Sequence, residues 1–416
     1  VNRLHVALTL VLLLVALGVA LALTVPWTVL PGASPRVDVA RDFRPAEIAR
    51  EVAFHAAVRP PAYASLVVGL LVAGVLALTP LGARVVAGVA RPVGGGFVAQ
   101  VVLGTLALTV LGRLVTLPLD VLSERVLRRY GLSTQTWGGW LLDTLKGIGV
   151  ATVMTALVLL AVLGLVRVAP RSWWAWAAGV TAAFVVLGSF VYPLLVEPVF
   201  TSFSSLPAGQ LRTDLLSMAA RDDVPVKDVL VADASRRTTS LNAYVSGFGA
   251  TRRIVLYDTL LRQATPQEVE LVVAHELGHA KRQDVLHGTL LGALGSAAGV
   301  CVLALLLSWT PLLRRAGAAS PGDPRVIALL LFLVALSTLL LAPATNLISR
   351  RIEARADVHS LDVTRDVPTF VAAEQRLAHT NLSDLDPNPI VYALFSTHPT
   401  SPQRIALARE WARLHR

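Results

Sequence analysis

Cysteine, methionine and lysine are nearly missing from this chain. Among 416 residues there is 1 cysteine, Cys301, there are 2 methionines, and Lys146, Lys227 and Lys281 are the only lysines. A single thiol excludes an intrachain disulfide framework and any cysteine-based metal cluster. The shortage of lysine beside many arginines reads as the coding bias of a GC-rich, bacterial genome rather than as chemistry. Charge is scarce too: Asp, Glu, Lys and Arg together make up 15% of the chain, against about 25% in soluble proteins. Apolar residues take that place, at 54% with a mean hydropathy of +0.63. The composition excludes a soluble globular domain and implies a polytopic membrane protein, mainly α. The formal charge of +10 resides in arginines that punctuate apolar runs, without a basic stripe interleaved with aromatics. That distribution speaks against nucleic acid and for a lipid bilayer as partner.

A bilayer crossing needs about 20 apolar residues. Seven stretches qualify, at 6–25, 63–81, 97–117, 147–168, 173–195, 286–307 and 326–341. The first ends in Thr24-Val25-Pro26-Trp27, a poor small-x-small cleavage site, so it is read as an uncleaved span rather than a signal peptide. Arg36, Arg41, Arg44, Arg50 and Arg59 fall in the first loop, and Arg125, Arg128, Arg129 and Lys146 in the third. Loops two and four carry only Arg84, Arg91, Arg167 and Arg171, whereas Arg314, Arg315 and Arg325 in loop six pull the other way. The balance of positive charge places loops one and three in the cytoplasm, with the segment after span five and the carboxyl tail. The expected organisation is spans 1–5 in 1–195, a catalytic segment in 196–285, spans 6–7 in 286–341 and a second catalytic segment in 342–416. Localisation to a cell inner membrane, with the catalytic parts on its cytoplasmic side, follows.

The first polar segment reads as α+β. Short strands are expected at 229–232, 241–245 and 253–257. Thr265-Pro266-Gln267-Glu268 then opens a helix, with Thr as N-cap, Pro at the first position and Glu closing a capping box. That helix runs through His275-Glu276-Leu277-Gly278-His279. Residues four apart share a helix face, so both imidazoles can reach one cation. Glu276 stands one step around, placed to act as general base on a water at the metal. With 9 histidines in the chain, a run of this form arises by chance about 0.005 times, so a zinc hydrolase is the reading.

A catalytic zinc site wants a third protein ligand. Glu353 is the candidate, in a helix expected over 345–362. Asp357, four residues on, shares its face and can accept the N–H of a ligating histidine. The competing reading is a charged face paired with Arg350, Arg351 and Arg355. His398, before Pro399, and Arg404 can stabilise an oxyanion if they lie near the metal. Asp284 and His287 follow the motif and are expected on its helix, Asp284 either supporting a ligand or marking the membrane interface. His359 and His379 lack usable spacing. Arg113, inside span three, either faces a watery interior or snorkels. Glycines four apart in span six, Gly288/Gly292 and Gly295/Gly299, suit close helix packing in lipid.

Four ordered stretches then resemble one family, the integral-membrane type I CAAX prenyl endopeptidases and their bacterial relatives, gluzincin-type zinc metallopeptidases. They are Tyr130-Gly131-Leu132-Ser133 with Gln135, Thr136, Asp143 and Lys146; Asp233–Arg237, Asn242-Ala243-Tyr244 and Arg253–Leu260; the His-Glu-Leu-Gly-His helix with Glu353 and Asp357; and His398-Pro399 with Arg404. The resemblance implies spans arranged around a water-filled chamber, with a zincin-like site at its cytoplasmic end. It also implies one Zn2+ per chain, held by His275, His279 and Glu353. Asn242 and the Ala243-Tyr244 backbone would pair with substrate as an edge strand. His398 would stabilise the transition state, and Arg404 would be an orienting partner near the ligand glutamate. Ala280 and Asp284 stand where eukaryotic members carry a bulky aromatic and a histidine, so prenyl specificity is not implied. The expected substrates are peptides or exposed ends of small membrane proteins. The rival from another class is a polytopic scaffold whose peptidase site is vestigial; the intact set of ligands, base and helper histidine argues against it.

Overall fold

The computed structural model describes residues 1–32, 36–247 and 249–416. Among them, seven helices are long and apolar enough to cross a bilayer. They are Arg3–Thr24, Pro45–Leu78, Phe97–Arg129, Trp137–Val168, Trp173–Val191, Asp284–Leu307 and Ile327–Thr364, called spans 1 to 7. Each of the seven expected stretches falls on one of these helices, four of them overrunning an end by one to four residues. Hydropathy located them because lipid leaves no alternative to apolar side chains on a closed backbone. The ends differ. Span 2 begins at Pro45, 18 residues before the expected start, because Glu51, His55 and Arg59 ride on a polar helical extension that hydropathy does not register. Span 7 continues without a break to Thr364, so its polar end and the helix expected over 345–362 are one rod.

Each span packs on a neighbour in the order 1, 6, 5, 4, 3, 2, 7. Leu163, Trp173, Ile327 and Leu329 are fully buried between them, while Leu4, Leu12 and Leu23 of span 1 turn outward. A helix not foreseen, Pro80–Ala90, lies between spans 2 and 3. It docks where Gly82 meets Ala328 and where Gly104 meets Val86. Arg113 is paired within the spans: its Nη1 lies 3.0 Å from Asp120 Oδ2, and Asp120 also accepts from Ser65 of span 2 and from Thr116.

Between spans 5 and 6 the chain builds a four-stranded sheet. The strands are β1 (Phe203–Ser205), β2 (Asp228–Ala232), β3 (Ala243–Ser246) and β4 (Arg253–Tyr257), ordered β1-β2-β4-β3. β2 and β4 are parallel; β1 and β3 run antiparallel to their neighbours and form the two edges. The strand expected at 241–245 starts two residues later: Leu241 bonds the Asn381 side chain instead of a strand, although Asn242 C=O still accepts from Tyr257 N–H of β4. β1 and the helix Gln210–Arg221 were not anticipated. Leu215 of that helix, Ile254 and Leu256 of β4, and Val273 and Leu277 of the metal-motif helix form a second core. A third gathers Leu271, Leu361, Phe370, Ala408 and Trp411 from four helices. Those two cores clamp opposite flanks of the motif helix.

Candidate metal centre

The helix bearing the motif is Pro266–Lys281. Its start is the expected capping box: Thr265 Oγ1 accepts from Glu268 N–H at 3.3 Å, and the Glu268 carboxylate accepts from Thr265 N–H at 2.7 Å. Val269, Val273 and Leu277, spaced by four, face the sheet core. His275 and His279 consequently point away from it, toward span 7. Gly278 permits close approach there, since a Cβ at this position would lie 3.0 Å from the His359 side chain. The His359 ring is anchored by its Nε2–H, which donates to Asp222 Oδ2 at 2.8 Å.

Three ligand atoms converge across this contact. His275, His279 and Glu353 offer nitrogen and oxygen atoms that all lie within 4.8 Å of one another. His275 Nε2 is 3.2 Å from Glu353 Oε2 and 3.2 Å from His279 Nε2, which is 3.6 Å from Glu353 Oε1. Two imidazole nitrogens and a carboxylate facing one point are a borderline-soft donor set that fits Zn2+ and leaves room for a fourth partner.

The far side of each imidazole is held by an acid. His275 Nδ1 lies 2.9 Å from Asp357 Oδ1, and His279 Nδ1 lies 2.9 Å from Asp284 Oδ2. Burial opposes charge on His275, but hydrogen bonds to Asp357 and Glu353 prevail and hold its pKa up at about 9. His279 is likewise opposed by burial, yet Asp284 and Glu353 lift it to about 10. Without a cation, this cluster of acids keeps protons on both rings.

Asp284 is not on the motif helix as expected. Gln283 adopts a left-handed conformation with φ 55° and ends one helix, and Asp284 begins span 6. That break turns its carboxylate back onto His279, with Arg355 as a second partner. Asp357 is fully buried and accepts from Arg404 Nε at 2.9 Å as well as from Arg404 Nη2. Arg404 thus engages Asp357 directly, one helical turn beyond Glu353. Its Nη1 is 2.6 Å from Glu374 Oε1, a buried carboxylate that sequence reading passed over. The only signal for Glu374 was a lone acid beside Val371, Ala372 and Ala373.

Glu276 lines the cleft beside Ala243 and Val245 of β3. Burial raises its pKa above the ordinary carboxylate value, with His275 and His279 opposing. His398 is 60% exposed, with Nε2 at 3.4 Å from Glu353 Oε2 and Nδ1 at 2.9 Å from Thr397 Oγ1. Asn242, Ala243 and Tyr244 reach the same place. A cavity of about 480 Å³ lined by Tyr244, His279 and Glu353 meets another of about 630 Å³ lined by His275, Asn381 and Arg404. Ala243, Glu276 and His398 border both. The sheet register decides which backbone groups face that cleft. Tyr257 N–H donates to Asn242 C=O at 3.0 Å, and Tyr244 pairs with Val255. In an antiparallel ladder alternate residues bond the partner strand. The backbones of Asn242 and Tyr244 are therefore committed to β4, and those of Ala243 and Val245 face the outer edge, where Ala243 N–H donates to the side-chain Oδ1 of its neighbour Asn242 at 3.0 Å.

Comparison with known proteins agrees with this architecture. Residues 205–412 match the model of peptidase family M48, and residues 63–202 match that described as CAAX prenyl protease N-terminal, five membrane helices. The chain is 32% identical over 305 residues to an uncharacterized metalloprotease of Bacillus subtilis, covering 73% of this chain and 72% of the relative. It is 30% identical over 298 residues to a CAAX prenyl protease 1 homolog of Arabidopsis thaliana, covering 70% and 68%. The crystal structure of Ste24p from S. mikatae superposes with a TM-score of 0.80 over 98% of both chains, at 21% identity. That likeness identifies the same chamber-forming membrane fold. With this helix order, mixed sheet and paired histidines, the chain belongs to peptidase family M48 and is a membrane metalloendopeptidase.

Proposed function

We propose that the resident metal is one Zn2+, held by His275, His279 and Glu353, and that the chain cuts peptides at the cytoplasmic face of a cell inner membrane. The observation that carries this reading is the convergence of those three ligand atoms within 4.8 Å, each histidine braced from behind by its own carboxylate. Bracing of this kind fixes the tautomer and aims the free nitrogen at the metal position. When bound, the zinc supplies a Lewis acid that polarises the scissile carbonyl and makes water a competent nucleophile near neutral pH.

The chain's own residues do the rest. The free edge of β3 offers Ala243 and Val245 to a substrate backbone, so the peptide is recognised as an added strand, with Asn242 and Tyr244 flanking it. Glu276, beside that edge, takes the proton from the attacking water and returns it to the leaving nitrogen. Its raised pKa suits both halves of that transfer. His398, open to the cleft, donates a hydrogen bond to the developing oxyanion. Arg404 and Asp357 act through His275, as positioning residues. Substrates of this class are peptides or the exposed ends of small membrane proteins. The division of the catalytic part into segments 196–285 and 342–416 follows from its two sources of ligands, the motif helix and the end of span 7.

Hydrolysis of a peptide mixture by detergent-purified protein, beside Glu276→Gln with zinc measured in both, tests the reading. Cleavage by the wild type and none by a zinc-loaded Gln variant is expected. Equal zinc and no cleavage by either would refute it and favour the scaffold.

A further inference from the structure

Leu241 stands two residues before Ala243 and four before Val245, so all three present backbone groups to the same side of the strand. At Leu241 that side is already taken. The Asn381 side-chain amide accepts from Leu241 N–H at 2.8 Å and donates to Leu241 C=O at 3.1 Å. One amide meeting both groups of one residue reproduces what a neighbouring strand would offer. It does so across 140 residues of sequence, from the last position of the helix Val367–Asn381. The helix ends there because Leu382 turns left-handed, with φ 48°, and is buried beside Phe54 and Leu132. Neighbouring backbone is pinned as firmly: Thr259 Oγ1 donates to Ser240 C=O at 2.7 Å, and Tyr257 N–H takes Asn242 C=O.

We infer that Asn381 is a positioning residue for the substrate, acting as a surrogate strand that closes the β3 edge at Leu241 and holds its open part, Ala243 and Val245, beside the metal ligands. This inference rests on the peptidase reading above. The amide has two consequences. It fixes the height of the edge relative to Glu276, which borders the same two cavities as Ala243. It also sets where an added peptide strand must stop pairing, because the next edge position is filled. Asn381 lines the same cavity as His275 and His398, so the end of the paired segment falls inside the cleft.

The test is steady-state hydrolysis of a fluorogenic peptide of about ten residues by detergent-purified wild type, Asn381→Ser and Asn381→Leu. Zinc content and thermal unfolding are followed in each. Losing hydrogen bonds that orient the edge should raise KM by about tenfold in N381L and less in N381S, with kcat and zinc content near wild type. A series of the same peptide N-methylated at successive amides gives the second readout. One or two methylations should weaken KM for the wild type, and N381L should lose that discrimination. N381S keeps one hydroxyl for Leu241 and carries the test if N381L fails to fold. An unchanged KM in a folded, zinc-loaded variant overturns the inference, as does a fall in zinc and kcat at constant KM, the mark of a merely structural role. No cleavage by the wild type would instead indict the peptidase reading.

Discussion

Replacing Asp357 with alanine should separate metal affinity from folding in a measurable way. Asp357 is fully buried, and its two oxygens serve His275 Nδ1 and two nitrogens of Arg404. Removing it takes away the acid behind one proposed zinc ligand, a change that typically costs about 10–100-fold in metal affinity. It also strands part of a buried ion network. Breaking a buried pair from one side costs about 3–5 kcal/mol. Glu374 stays at 2.6 Å from Arg404, so the guanidinium keeps one anion and the loss should fall near about 3 kcal/mol, the lower end. Asp357→Asn keeps a carbonyl oxygen for the His275 N–H but loses the charge facing Arg404. Its zinc affinity should drop only a few-fold while most of the stability loss remains. Competition between protein and a calibrated chelator, with thermal unfolding of the zinc-loaded and stripped proteins, measures both quantities. An alanine variant that holds zinc as tightly as the wild type would refute the role assigned to the acid, whatever happens to its stability.

Two further outcomes follow from the same geometry. In the metal-free protein His275 and His279 are raised to about 9 and about 10, so both rings are protonated at pH 7. The stability they add is present below their unfolded value of about 6.5 and is lost as pH rises through 9 to 10. Zinc needs neutral rings, so binding at pH 7 should release close to two protons, and almost none above pH 10. Calorimetry in buffers of different ionisation enthalpy counts them; release of less than half a proton at pH 7 would contradict the site's electrostatics. Separately, a reporter fused after Arg416 should read cytoplasmic, and a signal from the opposite side would reverse the orientation drawn from the loop arginines.

How much of this was legible depends on how local each feature is. The paired histidines and Glu276 lie within one helical turn and a half, and the periodicity that puts His275 and His279 on one face is a property of the helix alone. Glu353 and Asp357 were found by the same rule of four. Asp284 was left open because its role needs a break at Gln283, and glutamine carries no mark of a left-handed residue as glycine or asparagine would. Glu374 and Asn381 could not be seen at all. Each is one polar residue on an ordinary helix, and each gains meaning from a partner 30 residues away in the case of Arg404 or 140 in the case of Leu241. The spans were legible in their centres and not at their ends, because hydropathy reports the hydrocarbon and falls silent where a helix continues into water.

That silence conceals the link between membrane and chemistry. Span 7 is a single helix of 38 residues, Ile327–Thr364, about 57 Å long at 1.5 Å per residue. Some 20 residues suffice to cross the hydrocarbon, which brings the helix to Asn346. Glu353 then comes two turns further along the same rod and Asp357 one turn beyond it. Asn346 marks the junction, for its side chain donates to Ala393 C=O at 3.0 Å in the short helix that leads to His398. A ligand carried on an unbroken helix cannot change depth unless the span itself slides. The motif helix, in turn, is pressed against this rod at Gly278 and His359. The metal position is therefore referenced to the bilayer through covalent helix rather than through a flexible linker. Glu353 and Asp357 thus keep a fixed distance along the helix from the stretch that crosses the bilayer.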